Sequence, residues 1–171
     1  MRSKKYLLFL LVILVAGSSF KKAKPRLLVF SKTAGFRHDC IPVAKLAMIQ
    51  LGADNGFDVD TTEDASVFNT KNLKRYKAVM FLNTTGNVLD DAQQSAMESY
   101  IKKGGGYIGV HAATDTEYDW PWYNQLVGAY FLSHPNQQTA TLQVVNREHP
   151  ATKHLDASWV RRDEWYNFKS I

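Results

Sequence analysis

One cysteine, Cys40, occurs in 171 residues, so an intramolecular disulfide is excluded and stability has to come from a packed core. Internal repeats and low-complexity segments are absent as well. The longest apolar run, Tyr6 to Ala16, falls short of the roughly 20 residues a membrane span needs. A phosphate loop is missing, since the spacing GxxxxGK[ST] does not occur. Excess charge of one sign is also lacking once its source is located. The formal +5 and pI near 9.3 come from Arg2, Lys4, Lys5, Lys21, Lys22, Lys24 and Arg26, and from Leu27 onward 14 Lys and Arg face 16 Asp and Glu. The pI is therefore no evidence for nucleic-acid binding, and no nucleic-acid partner is expected.

What is present starts with a basic N-terminus, an apolar stretch and the small residues Gly17, Ser18 and Ser19. That layout predicts a secretory signal peptide over residues 1–20, followed by a basic linker at 21–25 and one domain over 26–171. The protein is expected to be exported, periplasmic or extracellular, and membrane-anchored if the signal is uncleaved. Removing Arg2, Lys4 and Lys5 leaves a formal +2. With 45% hydrophobic residues, one domain of ordinary size can supply its own core.

RLLVFS, residues 26–31, predicts a buried first strand followed by a loop. A helix is expected from Cys40 to Asp54, capped by Asp39, stopped at Asn55 and Gly56, and well buried because its apolar residues occupy several faces. FDVD (57–60) reads as a short second strand and YKAVMFLN (76–83) as the central one. Asp90 with Gln93 makes a capping-box start for a helix that ends before Gly104. YIGVH (107–111) is the next buried strand, TATLQVVN alternates like a half-exposed one, and HPAT is expected to open a short helix. Strands and helices alternate, which predicts an α/β fold with a doubly wound, mostly parallel sheet.

In such a sheet ligands gather where strands end, so the post-strand segments hold the first candidates. SKTAGFRHD offers Gly35, Phe36, Arg37 and His38 as a wall for a polar ligand, or simply a turn whose polar groups cap neighbouring backbone. NTTGN offers Thr85 and Gly86 to fix a hydroxyl, although a turn wants the same residues. IGVHAATDT is sharper. A strand followed by small residues and a sudden polar side chain makes an elbow, the geometry that displays a nucleophile in hydrolases and amidotransferases. Here it would display His111, able to act as acid or base, to bind a hydroxyl or to ligate a metal. The alternative is a histidine hydrogen-bonded beneath the next helix. Trp120 with Asp115 suits a sugar, whose C–H face stacks on rings while its hydroxyls meet carboxylates; an aromatic satellite core is the competing reading. Later polar candidates are His134, Asp163, Glu164 and Tyr166.

These segments together, FSKTAGFRHD, TEDA, FLNTTG, LDDAQQ, GGGYIGVHAATDTEYDWPWY, LVGAYFLSHP, HPAT and DEWYNF, resemble the ThuA-like family, named for trehalose utilisation. The resemblance runs from Leu27 to Phe168 and implies a flavodoxin-like, class I glutamine-amidotransferase-like fold without the nucleophilic cysteine, in agreement with His111 at the elbow. Family domains continue further, so a C-terminally truncated member is expected. The resemblance also implies disaccharide breakdown through 3-keto sugars made by a partner sugar dehydrogenase.

The leading expectation is an exported carbohydrate-processing enzyme, hydrolase, lyase or isomerase, acting on a disaccharide or 3-keto-sugar by acid/base chemistry. His111 would be the central acid/base with His134 and Glu164 as partners, while Gly35, Phe36, Arg37, His38, Thr85, Gly86, Asp115, Trp120 and Tyr166 would bind substrate. No cofactor is required by this reading. Two alternatives stay open: a non-catalytic sugar-binding module, and a hydrolase with zinc on His38, His111 and His134. A small-molecule carbohydrate is the expected partner, and a homo-oligomer is compatible with the sequence.

Overall fold

A computed structural model describes residues 23–170. The expected signal peptide and the first two residues of the expected linker lie outside the described residues. From Pro25 the chain enters β1 (Arg26–Phe30), whose side chains are buried from Leu27 onward. It then passes through α1 (Ile41–Asn55), β2 (Asp58–Thr62), α2 (Thr70–Leu73), β3 (Ala78–Leu82), α3 (Asp91–Lys102) and β4 (Gly106–Val110). All pairings among these strands are parallel, in the order β2-β1-β3-β4. The expected doubly wound α/β architecture is therefore present. The two central strands, LLVF and VMFL, are continuous apolar runs because helices cover both of their faces.

Alternate residues of β1 and β3 feed two cores. Leu27, Val29, Met80 and Leu82 face α1 through Ala44 and Met48. Leu28, Phe30, Val79 and Phe81 face Leu73, Ala96, Met97 and Tyr123, the last from α4 (Pro121–Val127). Phe30, Phe68 and Phe81 meet edge to face or tilted, with centroids 4.7 to 5.8 Å apart. Each such fully buried side chain stabilises the fold by about 1.5–3 kcal/mol relative to exposure. The chain leaves β1 for β2 on one side and returns to β3 on the other. This reversal opens a crevice outside the carboxyl ends of β1 and β3.

The expected capping box forms: Asp90 accepts from Gln93 N–H while the Gln93 side chain accepts from Asp90 N–H. Four local expectations differ from the structure. YIGVH is not a buried strand: β4 ends at Val110 and, lying at the sheet edge, leaves Ile108 40% exposed. Asp39 does not cap α1; Cys40 holds that position in a helical conformation without a side-chain cap, and Ile41 N–H closes a tight turn onto His38 O at 3.2 Å. Nor is α1 well buried: Val43 and Leu46 are more than two-thirds exposed, because a helix touches a sheet along one stripe and these apolar residues lie off it. HPAT forms turns rather than a helix, with Thr152 and Lys153 N–H sharing the carbonyl of His149.

Beyond β4 the chain forms β5 (Tyr130–Ser133), β6 (Gln138–Gln143), β7 (Ser158–Asp163) and β8 (Asn167–Ser170). β5 pairs antiparallel with β8, and β6 with β7. These ribbons bring the segment between β7 and β8 back to the carboxyl edge of the parallel sheet.

Candidate functional site

β4 ends in a sharp turn. His111 follows it with φ 50° and opens a 3-10 turn, His111–Asp115. Asn83, directly after β3, is likewise left-handed at φ 51°. Such a backbone costs a residue with a Cβ about 1–2 kcal/mol and concentrates at functional sites. Gly109 is needed beneath the elbow, since a Cβ there would stand 3.0 Å from Tyr107 Oη and 3.3 Å from Ala113 Cβ.

The loop after β1 is latched to the loop after β3. Thr85 Oγ1 accepts from Gly35 N–H at 3.2 Å and donates to Phe36 O at 2.8 Å, while Ala34 N–H donates to Thr85 O at 2.7 Å. Gly86, at φ 70°, lies so close to Ala34 and Gly35 that an added Cβ would meet them at 3.1–3.3 Å. The latch presents His38, whose ring stands edge-on to the exposed ring of Phe36 at 4.9 Å.

Three segments then converge: His38 after β1, and Glu164 with Tyr166 between β7 and β8, meet the elbow at one nitrogen of His111. His111 Nε2 lies 3.1 Å from His38 Nε2, 2.9 Å from Tyr166 Oη and 3.3 Å from Glu164 Oε2. His134 Nε2 is 3.7 Å from the same Glu164 oxygen, and its ring stacks on Tyr166 at 5.7 Å. Gln137 Nε2 donates to the other Glu164 oxygen at 3.4 Å. An open cleft of about 590 Å³ lies beside them, lined among others by Cys40, Asn83, Arg161 and Asp163. Burial lowers the pKa of His38, and the neighbouring imidazole of His111 lowers it further. Burial first, and then the charges of Glu164 and Asp115, push the Tyr166 phenol above its usual range. Tyr166 is therefore a hydrogen-bond donor at neutral pH and not a base. Asp115 accepts from Tyr118 Oη at 2.5 Å, close enough to bear electrostatically on both His38 and Tyr166.

The structure thus brings together His38, His111, His134, Glu164 and Tyr166, with Phe36 against the His38 ring and Asp115 within electrostatic reach. It does not bring the remaining candidates there. The Arg37 guanidinium forks onto Glu63 at 2.9 and 3.1 Å, and Lys45 joins the same carboxylate. Trp120 is buried in the core, stacked on Trp122 at 5.0 Å and Tyr123 at 5.7 Å, with its indole N–H on Glu98. Gly35, Thr85 and Gly86 build the latch. Sequence reasoning missed Asn83, Gln137, Arg161 and the Tyr118 partner of Asp115. Only Asn83 carried a signal, as the residue type that best tolerates a left-handed turn after a strand.

Fold and site define a doubly wound α/β domain with a histidine and carboxylate cluster at the carboxyl edge of its sheet, where related architectures hold ligands. The chain belongs to the ThuA family, described as trehalose utilisation, whose model matches residues 26–171. It is 32% identical to a ThuA-like protein of known structure from Bacteroides uniformis, covering 90% of this chain and 66% of that one with a TM-score of 0.71. A ThuA-like protein from Parabacteroides merdae shares the fold at 20% identity, covering 85% of this chain and 63% of that one with a TM-score of 0.69. The chain therefore spans just under two thirds of the length of either solved relative. No curated protein matches it.

Proposed function

We infer that the protein is a carbohydrate-processing enzyme acting on a disaccharide or 3-keto-sugar at the His111 cluster. The family supports a carbohydrate-related role. The observation that carries the reading is the meeting, on His111 Nε2, of an imidazole, a phenol and a carboxylate from two other segments beside an open cleft. Such a set can hold a sugar hydroxyl or carbonyl and move a proton to or from it, with Glu164 and His134 sharing the charge. Export and a partner sugar dehydrogenase that supplies the keto-sugar belong to the same proposal. So does the choice between hydrolysis, elimination and isomerisation. In a second reading His111 is a metal ligand; its nitrogen separation from His38 favours that one. A sugar-binding module without catalysis would bind and release its ligand unchanged.

Product analysis with trehalose, other disaccharides and their 3-keto derivatives tests the proposal. A turned-over substrate is expected, with His111→Ala slowing it about 10² to 10⁴-fold. Saturable binding without product would replace it by the binding-module reading. Turnover by His111→Ala within about threefold of wild type would remove His111 from the chemistry.

A further inference from the structure

We propose that His38 Nε2, His111 Nε2 and Glu164 Oε2 ligate a divalent transition-metal ion, with zinc as first candidate. This rests on reading the cleft as the substrate site, and it turns His111 from a proton carrier into a ligand.

The geometry points there for three reasons. First, a neutral imidazole nitrogen carries either one proton or one lone pair, so it makes one good hydrogen bond. Three polar atoms nevertheless crowd His111 Nε2 at 2.9, 3.1 and 3.3 Å. A cation resolves the crowding, because His38 Nε2, His111 Nε2 and Glu164 Oε2 can then all turn lone pairs toward it. Second, the spacing suits a shared ion. Donors 2.0–2.1 Å from one ion at tetrahedral angles stand about 3.3 Å apart. Here the two imidazole nitrogens are 3.1 Å apart, His111 Nε2 and Glu164 Oε2 are 3.3 Å apart, and one donor atom from each of the three residues lies within 4.8 Å of the others. Third, two imidazoles and one carboxylate form a donor set that fits zinc or another first-row ion and leaves coordination positions free.

The outer contacts are those of a ligand set. Gln137 Nε2 bonds the second Glu164 oxygen, and His134 Nε2 stands 3.7 Å from the first. The Gln137 bond orients the carboxylate, with the His134 ring beside it. Tyr166 Oη, 2.9 Å from His111 Nε2, is placed to bond a water or substrate oxygen on the ion. His38 Nδ1, by contrast, is buried without a partner among the described residues. Lacking the outer hydrogen bond that usually orients a ligating imidazole, the site should bind about 10- to 100-fold more weakly than a fully supported one. The sequence-based trio of His38, His111 and His134 is thus revised: Glu164 replaces His134, which supports the carboxylate. All three ligands line the cleft, where the adjacent carbonyl and hydroxyl oxygens of a keto-sugar would chelate the ion.

The test is metal content of untagged protein by elemental analysis, followed by calorimetric titration of the chelator-stripped protein with Zn²⁺ and, separately, Co²⁺, Mn²⁺ and Fe²⁺. Stoichiometric uptake is expected, with Co²⁺ giving visible ligand-field bands, and His38→Ala and Glu164→Gln each weakening it about tenfold or more. Glu164→Gln preserves shape, so it reads the donor set even if His38→Ala fails to fold. No uptake of any of the four ions, or uptake unchanged in Glu164→Gln, overturns the proposal. The two readings fail separately. Uptake without turnover of any sugar counts against the carbohydrate reading alone, and sugar turnover by protein that takes up no ion counts against the metal alone.

Discussion

Thr85 Oγ1, fully buried, holds the carbonyl of Phe36 at 2.8 Å and the N–H of Gly35 at 3.2 Å, and so fixes the loop that carries His38 toward His111. Thr85→Val keeps the shape and removes both bonds. A loss of about 1–3 kcal/mol is expected, because two backbone groups are left without their partner. Amide exchange over residues 34–38 should quicken at the same time. Unchanged exchange would mean that the loop is held by other contacts.

Glu117 is a second hidden support. Its Oε1 accepts from Val88 and Leu89 N–H at 2.7 and 2.8 Å, its Oε2 from Gln94 at 2.7 Å, and it is only 1% exposed. Burial raises its pKa while these three donors oppose the shift. Glu117→Ala should destabilise by about 2–4 kcal/mol, since each buried orphan N–H costs about 1–3. Glu117→Gln keeps an acceptor for the two amides and should lose less than half as much in denaturant titrations. Equal losses would show that charge, not the hydrogen bonds, carries the effect.

At the elbow, His111→Ala and His111→Gly both delete the imidazole, yet they differ in backbone strain at φ 50°. Glycine relieves about 1–2 kcal/mol and returns part of it as chain entropy, so the glycine variant should be more stable than the alanine variant by about 0.5–1 kcal/mol. Thermal melts compare them directly. An alanine variant as stable as the glycine one would mean that the turn relaxes and holds no strain.

The fork of Arg37 onto Glu63, with Lys45 beside it, gives an acid-sensitive contribution. These cations hold the Glu63 carboxyl at about 2 against an ordinary 4.5. Because the folded value is the lower one, the stabilisation is fully present above about 4.5 and is lost as pH falls toward 2. The difference in Tm between wild type and Glu63→Gln should therefore be greatest at neutral pH, shrink across that window, and weaken with salt because the pair is half exposed. A difference that is constant with pH would show the pair to be inert.

Legibility followed the range of the interactions. β1, β3 and the capping box of α3 could be read because apolar runs and Asp90 with Gln93 are local signals. The elbow could be read too, since GGGYIGVH compresses a strand and its turn into adjacent residues. The fates of Arg37 and Trp120 could not. Both belong to residue types that suit ligands, and partners distant in the chain, Glu63 and Glu98, claimed their polar groups.

The sequence by itself determined the parallel sheet, its two apolar faces and the display of His111, because patterning, glycine and chain order act over a few residues. Only the tertiary structure decided which groups share the site. His38 reaches His111 from the loop after β1, Glu164 and Tyr166 reach it from the segment between β7 and β8, His134 reaches Glu164 from the end of β5, and nothing in their spacing encodes a nitrogen-to-nitrogen distance of 3.1 Å. That distance depends on the crossover order β2-β1-β3-β4, on the Thr85 latch, and on the ribbons that return Glu164 and Tyr166 to the end of β4. These are long-range pairings, set by how buried surfaces fit together.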